Sequence, residues 1–241
     1  MTERQLIVTR DPAALARRVA DWLVETALAK QGAFAVALSG GSTPRRLYEL
    51  LAETPYLARM PWDQIHWFWG DERFVPQADK LSNYKMVWDA MLSRAPIPLA
   101  NVHAVPTEGT TPEKSAAMYQ AELQRFYGSD QLDLAGPLFD VNFLGLGPDG
   151  HTASLFPGTQ VLAERVRWAA AVIGAKEEAR ITLTYPTLES SRHVVFLVEG
   201  AAKRDILGRF LKGDASLPAA RLHPSGETLV FADREAAGEA A

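Results

Sequence analysis

The sequence predicts an α/β fold, a single domain spanning residues 1–241 with a mostly parallel, doubly wound sheet and helices on both faces. Three observations carry that prediction. Short apolar runs, such as AFAVAL at residues 33–38 and HVVFLV at 193–198, are continuous rather than alternating, as in strands buried on both faces. Segments with apolar residues at helical spacing separate them. Four glycine- or charge-rich loops, SGGSTP, GDER, PDGH and EGAAK, follow closely on predicted strands, at the carboxyl edge where such sheets hold ligands.

Residues 5–9 open the chain as a strand. Asp11-Pro12 then caps a helix whose apolar face runs through Leu15, Val19, Trp22, Leu23 and Leu28, and Gly32 ends it. After the 33–38 strand, SGGSTP leads into a helix carrying Leu47, Leu50 and Leu51. Ile65, Trp67 and Trp69 alternate with His66 and Phe68 in the next strand, which ends at Gly70 to Arg73. That alternation assigns the tryptophans to the core rather than to a nucleic-acid surface. SNYKMVWDAML is helical from about Ser82 by its apolar spacing. Residues 101–105 form a short strand, and Thr111-Pro112 opens a helix that runs to about Tyr127.

The central strand begins at Phe139. Beyond it, residues 168–173 are strand-like, and 181–184 start a further strand or a strand-to-helix corner. The 193–198 strand feeds a helix from about Ala201 to Lys212, and residues 228–231 form a last strand before an Ala/Glu tail expected to fray. No repeat, linker or shift of composition divides the chain.

Composition narrows the function classes. The 241 residues are 47% hydrophobic, enough for a sizeable core, and the formal charge of −4 supplies no basic footprint for nucleic acid or an anionic membrane. There is no cysteine, which removes disulfides, thiolate metal sites and a cysteine nucleophile. The five histidines are scattered, with no HxH or HExxH pair, so no metal or other cofactor is expected. The MTERQLIVTRDP start lacks the apolar run of a signal peptide, and no apolar segment approaches the roughly 20 residues of a membrane span. The expectation is a cytoplasmic protein, a monomer or small homo-oligomer, with a small-molecule partner and neither a nucleic-acid nor a membrane partner.

SGGSTP is the first loop with a chemical reading. Gly40 and Gly41 let the backbone turn and approach a ligand, Ser42 or Thr43 can cap the following helix, and Pro44 suits its first position. The free N–H groups and the helix dipole then favour an anion such as a phosphate ester. The same residues also fit a well-capped turn with no ligand. The loop is neither a Walker loop, lacking the Gly-Lys-Ser/Thr ending, nor a hydrolase nucleophile elbow.

Gly145, Gly147 and Gly150 spell GxGxxG after a strand. Pro157 and Gly158 interrupt the helix that a dinucleotide fingerprint needs, and no acidic residue occurs in 168–173, so that reading fails. What remains in the loop is Asp149 and His151, two residues apart. A neutral imidazole is a general base near neutral pH, and the carboxylate is spaced to orient it. In GDER, Arg73 can stabilise an oxyanion or hold phosphate, beside Asp71 and Glu72; a surface ion-pair cluster fits equally. Arg180, before ITLT, and Lys203, after HVVFLVEG, are candidate phosphate cations.

Together these strings resemble the 6-phosphogluconolactonase family, which shares its phosphosugar-isomerase-like fold with glucosamine-6-phosphate deaminase. SGGSTPRRLYELL, GDERFVP with SNYKMV, GLGPDGHTASLFPG, RITLT with its following proline, and the strand leading to Lys203 occur in the family's order over residues 33 to about 222. The resemblance implies a cytoplasmic, metal-free hydrolase of 6-phospho-D-glucono-1,5-lactone in the pentose phosphate pathway. It implies that Gly40, Gly41, Ser42 and Thr43 hold the 6-phosphate with Arg180 and Lys203. His151, oriented by Asp149, would activate water, Arg73 would steady the oxyanion or the developing carboxylate, and Asp71 would shape the sugar-hydroxyl side. The deaminases instead follow their histidine with a glutamate-bearing string, and Phe156 stands where that glutamate would fall. A non-catalytic phosphosugar-binding protein is the remaining alternative; it could keep the anion loop while dispensing with His151.

Overall fold

The computed structural model describes residues 4–133 and 135–238. The last residues of the Ala/Glu tail, 239–241, lie outside the described residues, as do 1–3 and 134.

Six strands form one parallel sheet in the order β1-β9-β8-β5-β2-β3. They are β1 (Arg4–Thr9), β2 (Phe34–Leu38), β3 (Ile65–Trp69), β5 (Phe139–Gly145), β8 (Ser191–Val198) and β9 (Glu227–Asp233). All five residues of β2 are buried, as are the first six of β5, so helices and loops cover both faces of the sheet. Three shorter strands, β4 (Asp71–Arg73), β6 (Ala169–Val172) and β7 (Arg180–Leu183), form a separate antiparallel sheet in the order β4-β7-β6. The helices are α1 (Pro12–Ala29), α2 (Ser42–Leu51), α3 (Tyr56–Arg59), α4 (Asn83–Val87), α5 (Pro112–Tyr127), α6 (Tyr185–Glu189), α7 (Arg204–Leu211) and α8 (Arg234–Ala237).

Local sequence explains the boundaries. The Asp11 carboxylate accepts the Ala14 N–H at the start of α1, with Pro12 just inside the helix. Thr111 caps α5 in the same way, and Gly128, in the left-handed conformation, ends it. The core is one cluster that takes in β2, β3, β5, β8, β9 and the inward faces of α1, α2, α5 and α7, and Trp67 and Trp69 are wholly buried in it.

Four expectations need correction. GDER is not a loop: Gly70 takes the chain out of β3, and Asp71 to Arg73 pair with β7. Residues 168–173 and 181–184 extend that small sheet and not the parallel one. Residues 101–105 form no strand; Val102 makes a single bridge to Trp67 and the His103 N–H donates to the Trp67 carbonyl. Leu28 is 59% exposed, because α1 buries Ala16, Ala20, Val24 and Ala27 beside the predicted Leu15, Val19 and Leu23.

The strand order locates the site. The chain leaves β2 for β3 on one side, then returns to β5 on the other and continues outward through β8 to β9. The order reverses between β2 and β5, and a crevice opens above such a switch point. SGGSTP and GLGPDGH are the loops that flank it.

Away from this crevice, burial lowers the His66 and His103 imidazoles below their ordinary range, and the two rings are joined Nδ1 to Nε2 at 3.0 Å. Groups depressed on folding contribute stability that is present above the ordinary imidazole value of about 6.5 and lost as pH falls through the lower folded values. The unfolding midpoint should therefore drop more steeply between about pH 7 and about pH 5 in the native chain than in His66→Gln. Parallel curves would contradict this.

Candidate active site

A cavity of about 310 Å³ lies at the switch point, lined from five places in the chain. The β2–α2 loop contributes Ser39 to Pro44, the β5 loop contributes Gly145 to Pro148, His151 and Ala153, and β4 contributes Asp71 and Arg73. Asn83 enters from α4, and Leu197 to Glu199 with Lys203 enter from the end of β8.

The first wall is an anion cradle. Gly41, not Ser42 or Thr43, is the cap residue of α2, and its φ of 110° is a conformation that side chains resist. Ser42 and Thr43 occupy the first two helical positions and Pro44 the third, so the expected serine or threonine side-chain cap is absent. The amides of Gly40, Gly41, Ser42 and Thr43 precede any intrahelical carbonyl they could pair with. Gly40 is obligatory for a different reason: a Cβ there would overlap the side-chain amide of Asn83. The buried Tyr48 hydroxyl steadies the loop by accepting the Ser39 N–H and donating to the Ser39 carbonyl, both at 3.0 Å.

Asn83 joins this cradle to Arg73. Its Oδ1 accepts Arg73 Nη1 at 2.9 Å, and its Nδ2 donates to the Asp71 carbonyl at 2.9 Å. Glu72 fixes Asn83 in turn, accepting the N–H groups of Arg73, Asn83 and Tyr84, each at 2.7 Å. Burial pushes the Glu72 carboxyl up to about 7, against the pull of those three amides. Arg73 Nη1 also donates to the Leu81 carbonyl, and its remaining N–H groups have no partner among the described residues.

The opposite wall holds the titratable pair. Asp149 Oδ1 meets His151 Nδ1 at 2.5 Å and also accepts the His151 N–H. Partial burial would raise the Asp149 carboxyl, but the bonds from the imidazole and the backbone outweigh it and hold it below its usual range. With Nδ1–H donating to the carboxylate, Nε2 is the ring nitrogen left to accept a proton, and it has no partner among the described residues. The Phe156 ring packs at 4.8 Å from the imidazole. Gly147 makes room for the ring, because a Cβ at that position would lie inside it. Gly147→Ala should consequently displace the base and lower turnover by about a hundredfold, with a far-UV spectrum unchanged from that of the native chain. Native turnover in that variant would show the ring to be held elsewhere.

Asp71 and Lys203 complete the lining. Ser154, wholly buried, donates its hydroxyl to Asp71 Oδ2 at 2.6 Å, which ties β4 to the His151 loop. Lys203 Nζ donates to the Leu146 carbonyl at 2.6 Å, and burial lowers its pKa, with Asp149 acting in the other direction. Of the site residues singled out from sequence, Asp149 and Arg180 are not in the lining; Asp149 stands behind His151, and Arg180 lies further off. It stands opposite Arg73 in the β4–β7 register, with its guanidinium on the Glu178 carboxylate and carbonyl.

Sequence reasoning passes over Asn83, Ser154 and Glu199, and gives Glu72 no role beyond its place in GDER. SNYKMV and GDER were visible as strings, but a polar residue in the first turn of a helix gives no sign that it will be buried against a glycine.

Chemically, the cavity offers unpaired amides at a helix start, a half-buried lysine, an arginine, and a general base with a fixed tautomer. Residues 10–231 match the family model described as glucosamine-6-phosphate isomerases/6-phosphogluconolactonase. A 6-phosphogluconolactonase of Nostoc sp. is 42% identical over 239 residues, covering 96% of each chain. One of Synechocystis sp. is 39% identical over 242 residues, covering 98% of this chain and 95% of the relative. The solved structure of the 6-phosphogluconolactonase from Trypanosoma cruzi superposes with a TM-score of 0.84 at 30% identity, covering 98% and 97% of the two chains.

Proposed function

The chain belongs to the glucosamine-6-phosphate isomerase/6-phosphogluconolactonase family, and from that premise we infer how its cavity hydrolyses 6-phospho-D-glucono-1,5-lactone to 6-phospho-D-gluconate in the oxidative pentose phosphate pathway. The observation that carries the mechanism is the His151–Asp149 pair, which leaves Nε2 as a free base in the same cavity as the Gly40 to Thr43 amides.

The substrate's phosphate sits on those amides at the start of α2, with Lys203 as its cation. This contact is remote from the reacting carbon, and its binding energy serves to hold the lactone carbonyl in place. His151 Nε2 takes a proton from water as the water oxygen bonds to C1, and the carbonyl electrons move onto oxygen. Asp149 stabilises the imidazolium that forms. The unpaired N–H groups of Arg73 face the oxyanion. Collapse of the tetrahedral species breaks the bond from C1 to the ring oxygen, which takes the proton back from His151 and becomes the C5 hydroxyl. The new carboxylic acid then ionises. Asp71, with Oδ2 on Ser154, presents Oδ1 to the sugar. Arg180 lies outside the cavity lining with Nη1 on Glu178, so its part in binding is secondary to that of Lys203.

Amino-sugar ring opening is less well supported. Between Asp149 and Glu164 there is no carboxylate. Phe156 packs on the histidine, and Glu164 is spent on the N–H groups of Arg165, Val166 and Arg167.

A cytoplasmic setting belongs to the same proposal, supported by a cysteine-free sequence. Among the described residues, no helix is long and apolar enough to cross a membrane. The test is hydrolysis of freshly generated 6-phosphogluconolactone, with glucosamine 6-phosphate as control. Lactone turnover without ammonia release is expected; ammonia release from the amino sugar would reverse the assignment.

A further inference from the structure

We propose that Glu199 reads the hydroxyl edge of the substrate and so determines which sugar lactone the cavity accepts; the inference rests on the lactonase reading above. Glu199 directly follows β8, between two fixed points of backbone. Val198 is paired in register with Ala232, and the Gly200 N–H donates to both carboxylate oxygens of the buried Asp233, at 3.0 and 3.1 Å. Glu199 is among the residues that line the cavity, together with Asp71, Arg73, His151 and Lys203.

The other carboxylates at this site have donors: Glu72 accepts three backbone N–H groups, and Asp71 keeps only Oδ1 for a ligand. Asp71 accepts the Ser154 hydroxyl, and Asp149 holds the imidazole. Glu199 differs: neither of its carboxylate oxygens has a hydrogen-bond partner among the described residues, and only Oε2 is shielded from solvent, which leaves Oε1 accessible to a ligand. No described cation pairs with it either, for Lys203, four residues on, gives its Nζ to the Leu146 carbonyl. A carboxylate without a donor inside a partly closed cavity is costly, and water or a ligand hydroxyl completes it.

A carboxylate only accepts, so the ligand group that suits it must donate. The substrate's phosphate and carbonyl oxygens only accept, and the phosphate would be repelled. Its ring hydroxyls are its donors. The phosphate on the α2 cradle and C1 at His151 fix the two ends of the sugar, which leaves the hydroxyl edge for Glu199. A site built to pair with a hydroxyl rejects an analogue lacking it far more strongly than an apolar pocket rejects a missing methylene.

The experiment compares kcat/KM for 6-phosphogluconolactone and its 2-, 3- and 4-deoxy analogues in the native chain, Glu199→Ala and Glu199→Gln. The native chain should discriminate against at least one deoxy analogue by about a hundredfold, and Glu199→Ala should reduce that ratio to a few-fold. Glu199→Gln, which keeps one acceptor oxygen and nearly the same shape, should retain part of it. A discrimination ratio unchanged in both variants, or none in the native chain, would overturn the role of Glu199 while lactone hydrolysis stands. Absence of lactone turnover in the native chain would instead overturn the lactonase reading itself.

Discussion

His151→Ala is expected to lower kcat for 6-phosphogluconolactone by roughly a hundred- to ten-thousand-fold, the range that a positioned general base supplies. Binding of 6-phosphogluconate should stay within a few-fold, because the phosphate cradle is built from the β2–α2 loop and not from the loop that carries His151. The imidazole is a quarter exposed, so its removal leaves no large void and the fold should persist. Some turnover above the spontaneous rate should survive, since the amide cradle and Arg73 would still hold the lactone and its oxyanion. Asp149 acts through the ring and not on the substrate, so Asp149→Ala should cost less than loss of the base. Undiminished turnover by His151→Ala would remove the histidine from the mechanism.

Lys203→Ala should raise KM for the phosphorylated lactone by about ten- to a hundredfold, as expected for loss of one charge-assisted contact to phosphate. Unphosphorylated gluconolactone should show almost no change, because it has nothing for the ammonium to bind. The structure gives a reason for the lysine to be poised. Its Nζ is held on the Leu146 carbonyl, at the edge of the loop that carries His151, and burial has already removed part of its hydration. Equal effects on the two lactones would mean that Lys203 supports the loop and does not read phosphate.

The middle of the parallel sheet was legible because β2, β5 and most of β8 are buried on both faces and say so in continuous apolar runs. The antiparallel sheet was not: β4 and β6 have three and four residues, and nothing local separates GDER as a strand from GDER as a loop. The anion loop and the Asp149–His151 pair were legible because both are short-range patterns, readable from residues two to four apart. Asn83, Ser154 and Glu199 were not, because what matters in each case is a partner distant in sequence or a missing one. Ser154 meets Asp71 across 83 positions, and Asn83 meets the backbone of Gly40 through space alone. Arg180 shows the converse. Its charge was visible, but the strand pairing that sets it opposite Arg73 and outside the cavity lining was not.

The central claim is that His151 directs water onto C1 of the lactone with no covalent intermediate. One turnover of enzyme in excess over freshly generated lactone, in ¹⁸O-water and quenched before spontaneous hydrolysis contributes, tests it directly. Direct attack places one ¹⁸O in the product carboxylate during that first turnover and leaves the protein unlabelled. Product free of label, with ¹⁸O instead in Asp71, Asp149 or Glu199, would show that an enzyme carboxylate attacks first, and would contradict the account.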